Sequence, residues 1–432
     1  MAKKQNHNRG NTPMADPRQG AEKGQRALRP RIFIATGASG GHIFPGLAIA
    51  DVLRKAGYWC TFVGSARQFS GLIKDRGFDF ISLPALAYTG GGIGKKLRSV
   101  QYMGRAFIKA AKLIRKHKPV AVLGMGSYAS IATVMAGRVL GVPTLIHEQN
   151  AKPGKANLLL ARFVPRVLLS FDAARKHFKG AEEKGNKYLT VGNPVRAGVL
   201  ALRGIPRPEA PWLDILAVGG SQGARILTDV VPEAIGRLPK NLQERVRITQ
   251  QARPEDISRL EEAYKNLDVG ALEAAPFFDN LPELMHRAHV VITRSGTGSV
   301  SELAVLNRAS ILVPIRLAHG HQVDNAKILS KVGAAVLMEE HTFTPENLAK
   351  ELESILTREG KRTLFEKNTA LVAKPQAAQE AAAEVMRMTG PDANNSANNT
   401  AKDNTQDEEA ADLLDEDTPL FDDDADDSAK KT

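Results

Sequence analysis

Residues Arg31-Ile32-Phe33-Ile34-Ala35-Thr36 run directly into Gly37-Ala38-Ser39-Gly40-Gly41-His42, and this junction decides the fold. The apolar run is typical of a buried strand, and a helical pattern follows the glycine-rich turn. The same junction recurs about 180 residues later, where residues 213–218 run into Gly219-Gly220-Ser221-Gln222-Gly223-Ala224. Such a corner leaves backbone N–H groups unpaired at a helix start, which favours an anion. Two corners predict a cleft that holds a phosphorylated ligand between two domains.

Strand and helix patterns alternate along the chain, which predicts α/β units with parallel sheets. The predicted strands are residues 31–36, 59–63, 120–123, 143–147, 167–170, 213–218, 246–250, 290–293, 310–313 and 335–338. The predicted helices are residues 45–56, 131–140, 299–306, 323–332 and 377–388. The segment 192–196 and the proline-rich 205–211 mark the expected domain boundary. The last helix is expected to cross back onto the first domain.

Composition limits the class of protein. The 432 residues suffice for two domains, no apolar run is long enough to span a membrane, and Cys60 is the single cysteine. Residues 1–30 form a polar, basic leader without an apolar core, so we expect a disordered segment and not a secretory signal. Residues 391–432 carry 14 acidic side chains against 3 lysines and are expected to be disordered too.

The remaining charge is strongly positive. With −11 in the tail, residues 1–390 carry +23, which favours a nucleic acid, an anionic membrane surface or a phosphorylated substrate as partner. Helix-turn-helix and zinc-finger spacings are missing and aromatic residues make up 5% of the chain, which argues against nucleic acid. A catalytically idle scaffold with a recruiting tail is a third interpretation, disfavoured by the intact glycine corners.

A third glycine-rich turn, Arg294-Ser295-Gly296-Thr297-Gly298-Ser299, also follows a predicted strand. Glu302 lies three residues after Ser299 and has two interpretations. It forms a capping box with Ser299, or it is a carboxylate beside a phosphate corner that accepts two hydrogen bonds from a ribose diol. No turn matches the dinucleotide or Walker fingerprints.

These segments together closely resemble the MurG family of peptidoglycan N-acetylglucosaminyltransferases, over about residues 31–390. The matching motifs are Gly37-Ala38-Ser39-Gly40-Gly41-His42, Gly124-Met125-Gly126-Ser127-Tyr128, His147-Glu148-Gln149-Asn150, Gly192-Asn193-Pro194-Val195-Arg196, Gly219-Gly220-Ser221-Gln222-Gly223-Ala224-Arg225, the segment 294–302, and His321-Gln322 with Asn325-Ala326. The chain departs from many relatives at Ser39 (Thr), Ser127 (Gly), Thr228 (Asn) and His321 (Gln).

The resemblance implies a GT-B fold, two Rossmann-like doubly wound domains that face each other across a deep cleft. It implies an acceptor and membrane domain at 31–192, a UDP-GlcNAc domain at 193–376 and a returning helix at 377–390. It implies inverting transfer of GlcNAc from UDP-GlcNAc to the MurNAc C4 hydroxyl of undecaprenyl-linked lipid I, giving lipid II. No cofactor or metal is expected: the clustered acidic triplets fall in the tail, and no Cys/His ligand spacing exists. A related transferase with another lipid acceptor, or a UDP-GlcNAc 2-epimerase, is the alternative.

The resemblance also implies the site residues. The donor-binding residues would be Ala38, Ser39, Gly40, Asn150, Arg196, Ser221, Phe278, Thr297, Glu302 and Gln322. Ser221 would meet the diphosphate, Glu302 the ribose and Phe278 the uracil. Gly41 and Tyr128 would contact the acceptor. His42 is the first candidate for the general base, because its ordinary pKa lies near neutrality, and Glu148 is the second.

Membrane contact is expected at residues 93–116. Apolar residues recur there at helical spacing, while eight lysines and arginines occupy the other faces. Packing on the protein's own sheet explains part of this stripe, and the excess of cations fits an anionic leaflet. We therefore expect a peripheral protein on the cytoplasmic side of the inner membrane. The acidic tail is interpreted as a solvated segment that favours solubility. Docking on the basic face, or a contact for cell-wall or division proteins, is the alternative.

Overall fold

Two parallel β-sheets organise the chain. The computed structural model describes residues 29–83, 93–181, 185–220, 223–315 and 320–390, with residues 93–100 and 185 described by their backbone alone. The strands are β1 Arg31–Thr36, β2 Trp59–Gly64, β3 Asp79–Ser82, β4 Ala121–Gly124, β5 Thr144–Glu148, β6 Arg166–Leu169, β7 Tyr188–Thr190, β8 Leu213–Val218, β9 Val246–Gln251, β10 Ala271–Ala275, β11 Val290–Thr293, β12 Ser310–Leu312 and β13 Ala335–Leu337.

Helices connect the strands and cover both faces of each sheet. They are α1 Gly40–Lys55, α2 Ser70–Asp75, α3 Ile93–His117, α4 Tyr128–Val139, α5 Lys155–Leu160, α6 Ala197–Leu202, α7 Arg225–Gly236, α8 Lys240–Gln243, α9 Ile257–Tyr264, α10 Leu281–Arg287, α11 Thr297–Leu306, α12 His321–Ser330, α13 Pro345–Thr357, α14 Glu359–Asn368 and α15 Ala377–Thr389.

The first sheet has the order β3-β2-β1-β4-β5-β6-β7, with every pair parallel. Its central strand β1 alternates between the two covering layers. Ile32 and Ile34 pack with α1, whereas Phe33 and Ala35 pack with α3 and α4. This burial on both sides explains why β1 reads as a continuous apolar run.

The second sheet repeats the plan with the order β10-β9-β8-β11-β12-β13. Strand β8 pairs with β9 and β11, and its residues also divide between two apolar clusters. In both sheets the chain runs outward from the central strand in two directions. The carboxyl ends of β1 with β4, and of β8 with β11, are therefore the points where ligands bind in such folds. The predicted class of two doubly wound domains is confirmed.

The final helix returns to the first sheet. Ala381, Ala382 and Val385 of α15 are fully buried in the cluster that contains Ile32 and Leu47. Arg166 Nε also lies 3.2 Å from Glu384 Oε2. The two halves are thus joined at residues 192–196 and again before residue 377.

Helix α1 begins earlier than predicted. It includes Gly40, Gly41 and His42 and carries Pro45 inside, with Ser39 as the N-cap residue. Proline is common in the first turn of a helix, so the sequence pattern placed the start at Pro45. The glycine corner is therefore the first helical turn itself. Among the described residues, no helix is both long and apolar enough to cross a membrane.

Candidate active site

The first glycine corner lies where β1 and β4 end side by side. A Cβ atom built on Gly37 would stand 2.4 Å from the Ser127 Cβ atom, so only glycine allows the two loops to approach this closely. Ser127 in turn has φ 68° and ψ 152°, a conformation that side-chain-bearing residues rarely adopt. A glycine at this position would adopt the same backbone conformation without strain.

His42 lies in this corner, half-buried in the first turn of α1. Its ring packs against Gly126, where a built Cβ atom would be 3.2 Å from His42 Nε2. Burial lowers the pKa of His42 to about 4, so the imidazole is neutral at neutral pH. A neutral imidazole can accept a proton, as a general base must.

Ser39 controls which nitrogen of His42 is free. Ser39 Oγ lies 2.6 Å from His42 Nδ1, and no described residue forms a hydrogen bond with Nε2. If Nδ1–H donates to Ser39, Nε2 carries the free lone pair. The serine hydroxyl then keeps its own proton to donate to a ligand. Ser39 is thus placed to fix the tautomer and to contact an anion at the same time.

Glu148 is held by its own loop. Its Oε1 accepts from the Asn150 backbone at 2.9 Å and from Asn150 Nδ2 at 3.3 Å, while Oε2 accepts from Asn157 Nδ2 at 2.8 Å and from the Gly154 backbone at 3.1 Å. The residue is 1% exposed. Burial raises the pKa of Glu148, and the four hydrogen bonds to the carboxylate oppose this rise. The geometry is that of a carboxylate that shapes a loop.

Asn150 links the two halves of the molecule. Its Oδ1 accepts from Thr297 Oγ1 at 2.9 Å and from Asn325 Nδ2 at 3.2 Å. Asn325 Oδ1 accepts from the Ala151 backbone at 2.8 Å. Asn325 is buried and was not among the predicted site residues; its place in the His321–Ala326 motif was the available signal.

His147 is a second missed residue. It is completely buried, and its Nε2 lies 3.0 Å from the Gly192 carbonyl while Gln149 Nε2 lies 3.2 Å from its Nδ1. The carbonyl can only accept, so Nε2 carries the proton and Nδ1 accepts. Burial lowers the pKa of His147 to about 4, which agrees with this neutral tautomer. The residue ties the 147–150 loop to the domain connection.

Arg196 and Glu302 form a bidentate ion pair. Arg196 Nε and Nη2 each lie 2.7 Å from a different oxygen of Glu302, whose side chain is 8% exposed. The capping-box interpretation of Glu302 is wrong, because α11 begins at Thr297 with Gly296 as N-cap residue and no side-chain cap bond. Glu302 is therefore held beside the corner by an arginine and keeps lone pairs for further donors.

The second glycine corner follows β8. Gly219 N donates to Gln251 Oε1 at 3.0 Å, and a Cβ atom on Gly219 would lie 2.3 Å from the Ala224 nitrogen. Ser221 lies outside the described residues. The loop thus closes on itself so tightly that only glycine fits at its start.

The other predicted residues have mixed surroundings. Phe278 is buried in the core of the second half, whereas its neighbour Phe277 is 67% exposed. Gln322 Oε1 accepts from the Ile315 backbone at 3.2 Å. Tyr128 begins α4 and packs against the first-domain core. Ala38 and Gly41 are exposed and Gly40 is half-buried around the first turn of α1. Within the described ranges, no three His, Cys, Asp or Glu side chains are grouped as metal ligands would be.

Family models match both halves of the chain. The N-terminal domain of glycosyltransferase family 28 matches residues 32–169, and the C-terminal domain of the same family matches residues 215–386. The two matches fall on the two parallel sheets.

Curated relatives align over nearly their whole length. A protein of Methylorubrum extorquens (strain PA1) is 38% identical over 340 residues, which are 77% of this chain and 91% of the relative. One of Paramagnetospirillum magneticum is 40% identical over 76% of this chain and 89% of the relative. Both are named UDP-N-acetylglucosamine–N-acetylmuramyl-(pentapeptide) pyrophosphoryl-undecaprenol N-acetylglucosamine transferase.

Solved structures agree with this relationship. MurG from Acinetobacter baumannii is 26% identical with a TM-score of 0.68, covering 83% of this chain and all of that one. The calicheamicin glycosyltransferase CalG4, at 14% identity and a TM-score of 0.60, shares the fold. The resemblance expected from the sequence motifs is confirmed, and the chain belongs to glycosyltransferase family 28.

Proposed function

We propose that the chain transfers GlcNAc from UDP-GlcNAc to the C4 hydroxyl of MurNAc in undecaprenyl-pyrophosphoryl-MurNAc-pentapeptide, with inversion at the anomeric carbon. The observation that carries the proposal is the alignment of the chain with about nine-tenths of relatives that bear the name of this transferase. The glycine corners, His42 and the Arg196–Glu302 pair supply the matching chemistry.

The donor is proposed to lie on the second domain, between the corner after β8 and the start of α11. Glu302 would accept hydrogen bonds from the ribose, held in place by Arg196. The backbone donors of the 219–224 turn and of α11 would face the diphosphate, joined by Ser221, Thr297 and the positive charge of Arg196. Gln322 would meet the sugar hydroxyls, and residues 277–278, including Phe278, the uracil.

His42 is proposed as the general base. Its Nε2 would take the proton of the attacking hydroxyl, while Nδ1–H donates to Ser39. Glu148 would instead hold the loop from which Asn150 reaches Thr297 and Asn325. As the bond to UDP breaks, negative charge grows on the diphosphate, and the donors at the α11 terminus would stabilise it without a metal ion.

The acceptor is proposed to enter over the first corner, where Gly41 and Tyr128 would contact it. Ala38, Ser39 and Gly40 of the same corner would close onto the donor. We assign residues 31–192 to acceptor binding, residues 193–376 to the donor and residues 377–390 to the returning helix. The leader, except for residues 29 and 30, and the tail 391–432 lie outside the described residues. The acidic tail is proposed as a contact for cell-wall or division proteins.

Membrane contact is proposed for the outer face of the first domain. Met103, Phe107 and Ile114 face its own core, but Ile108 is 55% and Phe163 45% exposed. Exposed cations occur on α3, at the end of α4 and beside Phe163: Arg105, Lys109, Lys112, Arg115, Lys116, Arg138 and Arg162. This mixture suits the anionic cytoplasmic face of the inner membrane. Co-sedimentation with vesicles that did not depend on anionic lipid content or on salt concentration would contradict the assignment.

The decisive experiment is transfer of labelled GlcNAc from UDP-GlcNAc to a lipid I analogue, in the presence of EDTA. We expect product with inverted anomeric configuration. Product that forms only when Mg²⁺ or Mn²⁺ is added would disprove metal independence. The absence of transfer under every metal condition would disprove the activity. Formation of UDP-N-acetylmannosamine, or of free N-acetylmannosamine and UDP if water cleaves the sugar nucleotide, would indicate the epimerase alternative.

A further inference from the structure

Three arginines and one glutamate meet at the edge of the second sheet that lies opposite the donor corner. Arg308 lies two residues before the start of β12, and all six strands of this sheet are parallel, so it lies at their amino-terminal edge. Arg207 comes from the connection before β8, and Arg362 and Glu366 lie on α14. We call these four residues the arginine cluster.

A single carboxylate oxygen faces all three guanidinium groups of the arginine cluster. Glu366 Oε1 accepts from Arg207 Nη1 at 2.8 Å. The same oxygen lies 3.8 Å from Arg308 Nη1 and 4.0 Å from Arg362 Nε, both beyond hydrogen-bonding distance. Arg207 therefore takes this oxygen as its hydrogen-bond acceptor, and the other two arginines interact with it through charge alone.

Arg308 is the most unusual member. The residue is 6% exposed, and its buried Nε has no hydrogen-bond partner among the described residues; Arg362 Nε shares this condition. Burial, opposed by Glu366 and reinforced by Arg207, lowers the pKa of Arg308 to about 10. Buried donors and charges without partners are costly, so acceptor oxygens are expected here.

The backbone around Arg308 is rigidly held. Asn307 adopts a left-handed conformation at the end of α11, and Arg308 N donates to the Leu303 carbonyl at 3.0 Å. The buried Thr369 Oγ1 lies 3.0 Å from Asn307 Oδ1. On the Arg207 side, His286 Nε2 lies 2.9 Å from the Ile205 carbonyl. The guanidinium groups are thus presented by fixed segments, as a binding site requires.

The same excess of positive charge lowers the pKa of a neighbouring histidine. The buried His289 accepts from the Asp214 backbone at Nδ1, at 3.0 Å. Burial first, and then Arg207, Arg362 and Arg308, lower the pKa of His289 to about 4, while Asp214 opposes them. The other carboxylate near Arg362, that of Glu359, is 84% exposed at 3.7 Å and neutralises little.

We propose that the arginine cluster binds a small oxyanion of the phosphate class, at a site separate from the donor corner. A tetrahedral oxyanion offers several acceptor oxygens to guanidinium forks, which bind such groups through paired charge-assisted hydrogen bonds. It would supply Arg308 and Arg362 with the acceptors that Glu366 cannot give. The site is a phosphate or phosphomonoester site on the back of the second domain.

The test uses inorganic phosphate as the probe, with the full chain kept in saturating UDP to occupy the donor corner. Phosphate is titrated at constant ionic strength against chloride, and binding is followed by calorimetry and by the thermal midpoint. We expect a saturable rise in the midpoint with phosphate and none with chloride. An equal response to both salts would show screening alone and overturn the proposal.

Variants locate the site. Arg308→Gln is expected to weaken phosphate binding about tenfold or more, since a charge-assisted hydrogen bond is lost. Arg237→Gln, an exposed arginine of the same domain paired with Glu233 and Glu346, is the matched control and should bind as the parent does. Unchanged binding in Arg308→Gln would overturn the proposal. If that variant does not fold, Arg362→Gln takes its place with the same expectation.

A spectroscopic readout is independent of stability. Phosphate in the arginine cluster would offset the positive charge near His289, so its pKa should rise when phosphate is added. Nuclear magnetic resonance titration of the His289 ring follows this directly. A pKa of His289 that stays constant at saturating phosphate would place any bound phosphate elsewhere.

Discussion

At the scale of single residues, His42 and Glu148 differ in what remains free for chemistry. His42 has a neutral ring with an open Nε2, whereas both oxygens of Glu148 accept two hydrogen bonds from their own loop. The proposed base must reach a substrate hydroxyl, and only His42 has an atom available for it. Sequence spacing alone left both candidates open.

His42→Ala should therefore abolish most of the turnover. We expect kcat to fall about 10²–10⁴-fold with little change in the KM for UDP-GlcNAc, because the base acts only in the transition state. Steady-state transfer to a lipid I analogue measures both constants. In the parent, the acidic limb of kcat/KM should follow the pKa of about 4, with activity lost only as the pH falls through that value.

Glu148→Gln is the informative comparison. The amide would face the Asn157 and Gly154 donors with a donor of its own, so we expect a loss of about 1–3 kcal/mol in unfolding free energy. Turnover should fall far less than in His42→Ala. The opposite order of effects would reverse the assignment of the base.

Ser39 offers a finer test of the tautomer argument. Ser39→Ala removes the acceptor for Nδ1–H, so the proton distributes over both nitrogens and kcat should fall about fivefold to tenfold. Ser39→Thr keeps the hydroxyl and should retain turnover. Comparison of kcat and KM in the two variants separates this role from donor binding. Equal activity in Ser39→Ala and Ser39→Thr would show that the contact with His42 is unimportant.

The site residues were predicted from sequence motifs, whereas the residues that form hydrogen bonds with them were not predicted. His42, Asn150, Arg196 and Glu302 stay predicted site residues, assigned from the motifs that carry the family resemblance. The sequence could not show that Arg196 holds Glu302 across 106 positions, or that Asn325 reaches Asn150. Such contacts depend on how two domains pack, which no local spacing records.

At the scale of elements, three edge strands escaped the sequence prediction. The ten predicted strands all occur, within about one residue at most ends, but β3, β7 and β10 were missed. Each of the three lies at the edge of a sheet, and their residues are largely half-buried or exposed. An edge strand has less surface to bury, so its sequence lacks the continuous apolar run that reveals a central strand.

The start of α4 contains strain that a substitution can release. Ser127 has φ 68°, a region that glycine adopts freely and other residues at a cost of 1–3 kcal/mol. Glycine loses more chain entropy on folding, so Ser127→Gly should stabilise the protein by about 1 kcal/mol overall. The midpoint of urea unfolding measures the change.

Ser127→Ala is the matched control for this prediction. Alanine removes the hydroxyl but keeps the Cβ atom, so the backbone strain persists and stability should change by about 0.5 kcal/mol or less. A Ser127→Gly variant less stable than the parent would mean that the hydroxyl, and not the backbone, governs this position.

At the scale of the whole molecule, polar contacts from one loop join the two domains. Residues 147–152 leave the first sheet and meet α11 and α12 of the second domain through Asn150, Ala151 and Asn325. Both predicted glycine corners and this loop lie at the carboxyl edges of the strands. The fold thus brings the side of the proposed base and the side of the proposed donor together through a few hydrogen bonds.

Three histidines whose pKa is lowered by desolvation make the whole fold sensitive to acid. The pKa values of His42, His147 and His289 all fall to about 4 on burial, below the ordinary value of 6.5. Between these values the unfolded chain binds protons that the folded chain does not. Their stabilising effect is therefore complete above about pH 6.5 and is lost as the pH falls towards 4.

His147 gives the clearest measurement, because it is completely buried. It should contribute a slope of about 1.4 kcal/mol per pH unit to the unfolding free energy between pH 6 and about 4.5. Urea unfolding of His147→Gln across this range should show a smaller slope of unfolding free energy with pH, equivalent to about one proton fewer taken up on unfolding. His177 is exposed, so the slope of His177→Gln should match that of the parent. Equal slopes in all three proteins would mean that His147 takes up its proton without unfolding. The charged ring would then be stabilised inside the domain connection by the bond from its Nε2 to the Gly192 carbonyl and by a reoriented Gln149.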